Sequence, residues 1–595
     1  MKIRDRRFQG IIMLLLAIAA AFVASSTRAT GQLATDAGLL SDPFLQLPTE
    51  DSVRVVWFTE FPGVRHAVAF GRGFKQEVTA TTTQLTHARE DEKSRREGMK
   101  NIASEPVSRP IWRHEAQVSG LSAGQRLPYR VSSTRENGEI FRSNSFTLAA
   151  KPKAGTPLKI LLTSDHQLMP MVAANFQKVA ETVGQVDAIF MAGDLVNIPD
   201  RASEWFDDAR GGAFFPALQG RARYKLEFNG KTTVYRGGAL LQSTPFYSAI
   251  GNHEVMGRYS TTQGLNEQFS DSIPRSVAAQ RYQLAAAKIN PHRTPEVEQA
   301  WIKANSFNSD TYEEIFTLPE SQSGGEKYYA VTFGDIRLIS LFVTNIWRSP
   351  DLKCELRGRY CEGKNHLNRM EDWGYGQHIF EPIAKDSEQY KWLQQELNSP
   401  EFKQAKYKIV MFHHPAHTLG DNIVPPYTDP VPIIEYTPDK KVQSVRYHYP
   451  IENDYIIRDL EPLLNSAGVQ LVYYGHSHVW NRFVNNSGVN FLESSNVGNT
   501  YGAYLGQKQR SIPPELEGTY IAVGDPNGLK PIVPTLAPLT DNSGQPLPYF
   551  SSNEISAFSI FDTERGKVSS YRFDTRDPSL KVVKFDEFSL LSPPA

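Results

Sequence analysis

Five short segments carry the residues with chemistry to offer: Asp165, Gly193-Asp194, Gly251-Asn252-His253-Glu254, Phe412-His413-His414-Pro415 and Gly475-His476-Ser477-His478. Each follows an apolar, strand-like run, so each side chain is expected at the carboxyl end of a strand. Singly these are weak signals, because a Gly-Asp pair is usually a turn. Five in order, all after strands, are hard to ascribe to accident. The residue types also fit one purpose. Carboxylates, an amide and imidazoles can share two divalent ions and generate a hydroxide. An ionised Asp194 has two oxygens and can span ions roughly 3.5–4 Å apart. In Gly475-His476-Ser477-His478, alternate residues can project to one side of an extended segment, so one stretch reaches both ions. The glycines allow tight turns and close backbone approach.

Elements must hold these segments in place. At 595 residues the chain has room for two or more domains. A net charge of -1 argues against a dedicated nucleic-acid binder, which would carry a basic field. Lys2, Arg4, Arg6 and Arg7 precede the apolar run Ile11 to Val23, and Thr27-Arg28-Ala29 offers a cleavage site. Residues 1–29 are therefore expected to be an export signal, with a retained anchor as the competing reading. No later segment reads as transmembrane, so a secreted or periplasmic protein is expected. The two cysteines, Cys354 and Cys361, suit a small disulfide loop better than a metal site.

Residues 42–150 read as an all-β sandwich, with strands at Val53–Phe58, His114–Ser119, Leu127–Ser133 and Phe141–Leu148. The mixed charges of Ala88–Lys100 predict an exposed loop or short helix. Lys151 to Pro157 is a linker. Residues 156–505 then alternate strands and helices, with helices predicted at Val172–Val183, Ser387–Leu397 and Ile456–Ala467. A hairpin is expected around Gly334-Asp335. Stretches 200–244 and 256–326 lack motifs and read as insertions over the catalytic face. Residues 506–595 are expected to be a β-rich extension packing on the catalytic domain.

With these motifs in this order, the chain resembles the calcineurin-like metallophosphoesterase superfamily, and with the sandwich in front it is similar to purple acid phosphatases. The turn phrase at Gly120–Gly124 resembles fibronectin type III domains. The resemblance implies a four-layer αββα sandwich, two sheets covered by helices, with a dinuclear site of Fe, Mn or Zn at the strand ends. Carried over by position, Asp194 would bridge both metals, Asp165 and His478 would bind the first, and Asn252, His413 and His476 the second. A metal-bound hydroxide would attack phosphorus in line. His253 would serve the leaving group or a phosphate oxygen. Glu254 is read either as a partner orienting an imidazole or as a helix N-terminal carboxylate.

The chain departs from the family pattern in its first motif. Gln167 stands where a histidine is common, and Asn197 stands where purple acid phosphatases carry a tyrosine. The first metal is expected to take a carbonyl oxygen from Gln167 or Asn197, or a water in that place. His166 is expected to point away, and His413 rather than His414 to be the ligand. His417 would stabilise substrate or cap a loop. His66, His87, His114 and His292 are read as surface or structural, and Trp480 and Tyr501 as pocket borders or packing. The leading expectation is an exported phosphomonoesterase acting on a small phosphate ester. A phosphodiesterase of the same fold, for nucleotides or lipids, is the alternative. Two further readings are a catalytically weakened binding protein and an adhesin built on the sandwich.

Overall fold

A computed structural model describes residues 38–98, 104–505, 510–516 and 524–591; the expected export signal lies outside them. Alternation of inward and outward residues builds the N-terminal module. In Leu127–Thr134, Tyr129, Val131 and Ser133 turn inward. One sheet runs Phe44–Gln46, Ser52–Thr59, Trp112–Ser119, Thr81–Gln84; the facing sheet is built around Leu127–Thr134 and Arg65–Phe70. Trp57 fills the space between them and donates to Ser133 Oγ at 2.9 Å. Truncating it to Ala is expected to cost about 3–5 kcal/mol. His66 and His114 stack here at 3.5 Å.

Two expectations for this module need correction. Phe141–Leu148 is not one strand but two, Ile140–Arg142 and Phe146–Leu148, both paired with Leu127–Thr134. At the break the Ser143 hydroxyl accepts the Val131 N–H at 3.0 Å, filling the ladder position. The charged stretch is an exposed loop only in part, at Glu92, Lys93, Arg95 and Glu97. Arg89, Glu90, Asp91 and Arg96 are buried. Each charge has an opposite partner: Arg89 with Asp200 at 2.5 Å, Asp91 with Arg201 at 3.0 Å, Arg96 with Asp207 at 2.8 Å. Mixed sign along the sequence marks here an ion-paired interface with residues 200–208, where burial is tolerable because every charge is matched.

The second unit has two sheets. In the first, Phe246–Ser248, Ala188–Met191 and Lys159–Thr163 are parallel, followed by antiparallel Ile555–Asp562, Lys567–Asp574 and Val583–Ser589. The carboxy-terminal strands thus hydrogen-bond into this sheet directly. In the second sheet Ile336–Ser340, Tyr407–Met411, Leu471–Tyr474 and Asn490–Ser494 are parallel. Period-2 alternation makes its strands two-faced. Leu338, Ile409, Met411 and Leu471 meet the first sheet. Ile339, Val410 and Val472 meet helices through Leu393, Leu397 and Leu464. Helix Val172–Val183 covers the first sheet with Phe176 and Val179, which completes four layers. The fold is mixed α/β, as the motif order implied.

Ser387 caps helix Glu388–Leu397 by accepting the Tyr390 N–H at 3.2 Å. The predicted helix over 456–467 instead opens with a π-turn, Ile456–Leu460, before α-helix Glu461–Ala467. Pro462 lies at the join and has no N–H to continue the ladder. A further region, absent from the sequence reading, contains the hairpin Val431–Tyr436 and Val442–His448 and a cluster with Tyr360, Trp373 and Tyr449. The Cys354–Cys361 disulfide, Cα to Cα 5.4 Å, closes a loop within it.

Candidate metal centre

The parallel strands of both sheets deliver their carboxyl ends to one place, where the chain turns sharply. Asp165, Gln167, Asp194, His476 and His478 all have positive φ, between 42° and 80°. Such conformations cost an L residue of order 1–3 kcal/mol each and persist where surroundings over-determine them. Gly193, at φ 97°, is required as glycine: a Cβ there would lie 2.7 Å from Gly251 N and 2.9 Å from His413 Nδ1. At Gly475 a Cβ would meet Asp165 Oδ2 at 2.3 Å.

Four donor atoms converge where the second metal is expected. Asn252 Oδ1 lies 3.1 Å from His413 Nε2 and 3.0 Å from His476 Nδ1. His413 Nε2 lies 3.2 Å from both His476 Nδ1 and Asp194 Oδ2. Donors about 2.0–2.2 Å from one ion sit about 3.0–3.4 Å apart, so this spacing fits a bound cation. His413 Nδ1 donates to Ala192 O at 2.7 Å, which aims Nε2 at the cluster. The other cluster, where the first metal is expected, is Asp165, Asp194 and His478, whose donor atoms lie within 4.8 Å of one another. His478 Nε2 is 3.4 Å from Asp165 Oδ1, and its Nδ1 donates to Asn499 O at 3.0 Å.

The electrostatics suit cations. Burial works against an Asp194 anion, but the His413 and His253 rings more than offset it and hold the carboxyl well below its usual range. Burial likewise opposes a charged His413, yet Asp194 pulls that ring up to about 9. Burial and neighbouring rings keep His414 and His476 well below the ordinary histidine value. His476 is therefore a neutral donor, and a cation in the cluster would replace the proton that Asp194 attracts to His413.

Gln167 turns its amide N–H₂ to Asp194 Oδ2 at 2.7 Å, so its nitrogen faces the shared carboxylate. Asn197 donates from Nδ2 to Gln167 O at 2.7 Å and does not reach the donor clusters. His166 packs on Phe176 at 5.8 Å, outside both clusters. His414 stacks on His476 at 3.8 Å and bonds Thr344 Oγ1 at 2.7 Å through Nδ1. Its donor also lies within 4.8 Å of those of His413 and His476. His417 is engaged elsewhere, between Asp525 at 2.9 Å and Glu461 at 3.3 Å. Trp480 is core packing, bonded to Ser570 Oγ at 3.1 Å. Tyr501 is 43% exposed and stacks on His478 at 5.1 Å, bordering the open cavity.

His253 donates its main-chain N–H to Asp194 Oδ1 at 2.9 Å. Its Nδ1 donates to Asn197 O at 2.7 Å, which leaves Nε2 as the free ring nitrogen. The residue lines a cavity of about 1240 Å³ with Phe269, Trp347 and Tyr501. Glu254 orients no imidazole. It accepts three main-chain N–H groups: Asp194 at 2.8 Å, Leu195 at 2.7 Å and Gly251 at 2.7 Å. Two contributors escaped the sequence reading. Glu493 accepts the Ser477 N–H at 2.8 Å and so holds the loop between His476 and His478. Arg359 is buried and donates to Arg348 O at 2.8 Å and Val424 O at 2.5 Å, and its charge bears on His414 and His476. Neither stands next to a motif, so neither had a local signal.

The family model for calcineurin-like phosphoesterases matches residues 158–480. That is more than half the chain, and the chain belongs to this family. Among solved structures it is similar to the purple acid phosphatase PPD1 from yellow lupin (Lupinus luteus) seeds. The TM-score is 0.50 at 12% identity, covering 92% of this chain and 74% of the other. That likeness concerns the fold. It is also similar, at TM-score 0.30 and 11% identity, to GAP50, the anchor in the inner membrane complex of Plasmodium, covering 72% of this chain and 89% of that one. No curated protein sequence matches. Among the described residues no helix is long and apolar enough to cross a membrane.

Proposed function

We propose that this chain is an exported, dinuclear-metal hydrolase of phosphate monoesters, resembling acid phosphatases in its chemistry. The observation that carries this reading is the convergence of Asp194 Oδ2, Asn252 Oδ1, His413 Nε2 and His476 Nδ1 at 3.0–3.2 Å spacing, beside a second donor set. Asn252, His413 and His476 would hold one ion, Asp165 and His478 the other, and Asp194 both. Gln167 would act on the ions only through Asp194, to whose Oδ2 it donates. Ions of the Fe, Mn or Zn type would polarise the phosphoryl oxygens and make a water nucleophilic near neutral pH. His253 lines the cavity with its Nδ1 held by Asn197 O and, when protonated, would give the Nε2 proton to the leaving oxygen or to a phosphoryl oxygen. Its Nδ1 bond to Asn197 O fixes the ring for that task.

The cavity beside His253 favours a second reading. Its volume of about 1240 Å³ exceeds what a phosphoryl group needs. A phosphodiester, or a monoester with a bulky leaving group, would use it.

Metal analysis combined with turnover of p-nitrophenyl phosphate and of its diester tests both readings. Two ions per chain and faster monoester turnover are expected. Faster diester turnover selects the second reading, and metal-independent or absent hydrolysis overturns both. Asp194→Ala should abolish turnover and lower occupancy at both positions. His253→Ala should keep both ions while losing about 10²–10⁴-fold in rate.

A further inference from the structure

The ring of His253 is clamped from two sides, and neither support belongs to its own loop. On one side Nδ1 meets Asn197 O at 2.7 Å. On the other, Phe269 stacks on the ring at 5.1 Å with 28° between planes. Both supports lead back to a single carboxylate in the N-terminal module.

On the Asn197 side, Glu204 Oε2 accepts the N–H groups of Asn197 at 2.7 Å and Ile198 at 2.9 Å. Glu204 Oε1 accepts from Arg201 Nη1 at 3.0 Å. Arg201 Nη2 in turn reaches Asp91 Oδ1 at 3.0 Å and Oδ2 at 3.2 Å. On the Phe269 side, Asp91 Oδ2 accepts the Leu265 N–H at 2.8 Å, seating the start of helix Leu265–Phe269. Arg201 Nη2 also donates to Asn266 Oδ1 at 2.6 Å, which joins the two branches. Asp91 is fully buried, and Arg201 and Glu204 nearly so. In such surroundings charge-assisted bonds are short and geometrically demanding. The same segment continues as Glu92, Lys93, Ser94 and Arg95 along the wall of the His253 cavity.

We propose that Asp91 is a positioning residue for His253: through one buried carboxylate the β-sandwich sets both walls that hold the ring at the leaving-group position. This rests on the reading of His253 given above. The sandwich is then part of the active-site scaffold, and its charged segment is the joint. A displacement of about 1 Å can cost a reacting group on the order of 10²-fold.

The test is Asp91→Asn in the full-length, metal-loaded protein. The amide keeps the shape but loses the charge that Arg201 grips. We expect kcat to fall about 10–100-fold, with KM within about twofold and both ions retained. The double variant Asp91→Asn/His253→Ala should be no slower than His253→Ala alone, because the effect passes through that ring. A crystal structure of Asp91→Asn should show the His253 ring displaced from Asn197 O and the donor clusters unmoved. Multiplicative losses in the double variant, an unmoved ring, or loss of ions in step with activity would each overturn the proposal. If Asp91→Asn does not fold, Arg201→Lys tests the same link, since one ammonium cannot span Asp91 and Glu204 as the fork does; an additive loss there overturns it too. Should the wild-type protein hydrolyse no phosphoester, the proposed function fails, while the ring position still decides the structural claim.

Discussion

The carboxylate of Glu254 accepts the main-chain N–H of Asp194 at 2.8 Å, and with its other bonds ties the Gly193-Asp194 turn to the Gly251-Asn252 turn. Those turns come from different strands, and each supplies a proposed metal ligand. Burial, and then Asp194, push this carboxyl up to about 8, and the three N–H donors oppose that push. Glu254→Gln should therefore turn an N–H₂ toward at least one donor and loosen both turns. Loss of about 10–100-fold in metal affinity or activity is expected, as for outer partners of metal ligands generally. Equilibrium dialysis against Zn or Mn checks it. Unchanged affinity and turnover would show that the turns stand without this brace.

The first-metal site is expected to be the weaker one. Gln167 offers Asp194 an N–H where the family commonly has an imidazole, whereas Asn252, His413 and His476 surround the second site. Chelator titration with metal counting should remove one ion before the other. Gln167→His should narrow that gap, since it puts an imidazole where the amide now donates to Asp194 Oδ2. Simultaneous loss of both ions in wild type and variant alike would separate Gln167 from metal affinity.

Colour gives an independent reading of the same site. Asn197 bonds Gln167 O and has no phenol, so no tyrosinate donor stands at that position. The iron-loaded protein should be colourless or faintly coloured. Tyr501, stacked on His478, is the aromatic to watch. If an intense visible band forms and Tyr501→Phe removes it, the phenol is a ligand and the assignment of the first site changes.

The convergence of the motif residues was legible because each motif follows a strand, and parallel strands deliver their ends together. Asp194, Asn252, His413 and His476 meet as their spacing implied, although they span 282 positions between Asp194 and His476 in the sequence. The supports were not legible. Glu493 and Asp91 act through main-chain N–H groups and distant arginines, contacts that depend on tertiary register rather than local pattern. Asp91 was hidden further, because paired charges in a buried joint have the same composition as a solvated loop. Glu254 stood inside a motif, and of its two readings the helix N-terminal carboxylate is the one seen, since it accepts the Gly251 N–H. The carboxy-terminal strands lacked motifs, and only pairing places Ile555–Asp562 against Lys159–Thr163.

His417 supplies a test of pH-dependent stability away from the donor clusters. Its ring lies between Asp525 at 2.9 Å and Glu461 at 3.3 Å. Burial opposes its charge, but the two carboxylates prevail and raise it to about 9 from an ordinary value of 6.5. A folded-state value above the unfolded one stabilises the protein when the ring is protonated. The contribution is complete below about pH 6.5, declines between 6.5 and 9, and is lost above that. Its ceiling is about 3 kcal/mol, from 1.36 kcal/mol per unit. His417→Gln should therefore lower the thermal midpoint most near pH 6 and least near pH 9, relative to wild type. A midpoint difference that stays constant across that range would mean that His417 acts by packing alone, as a neutral ring.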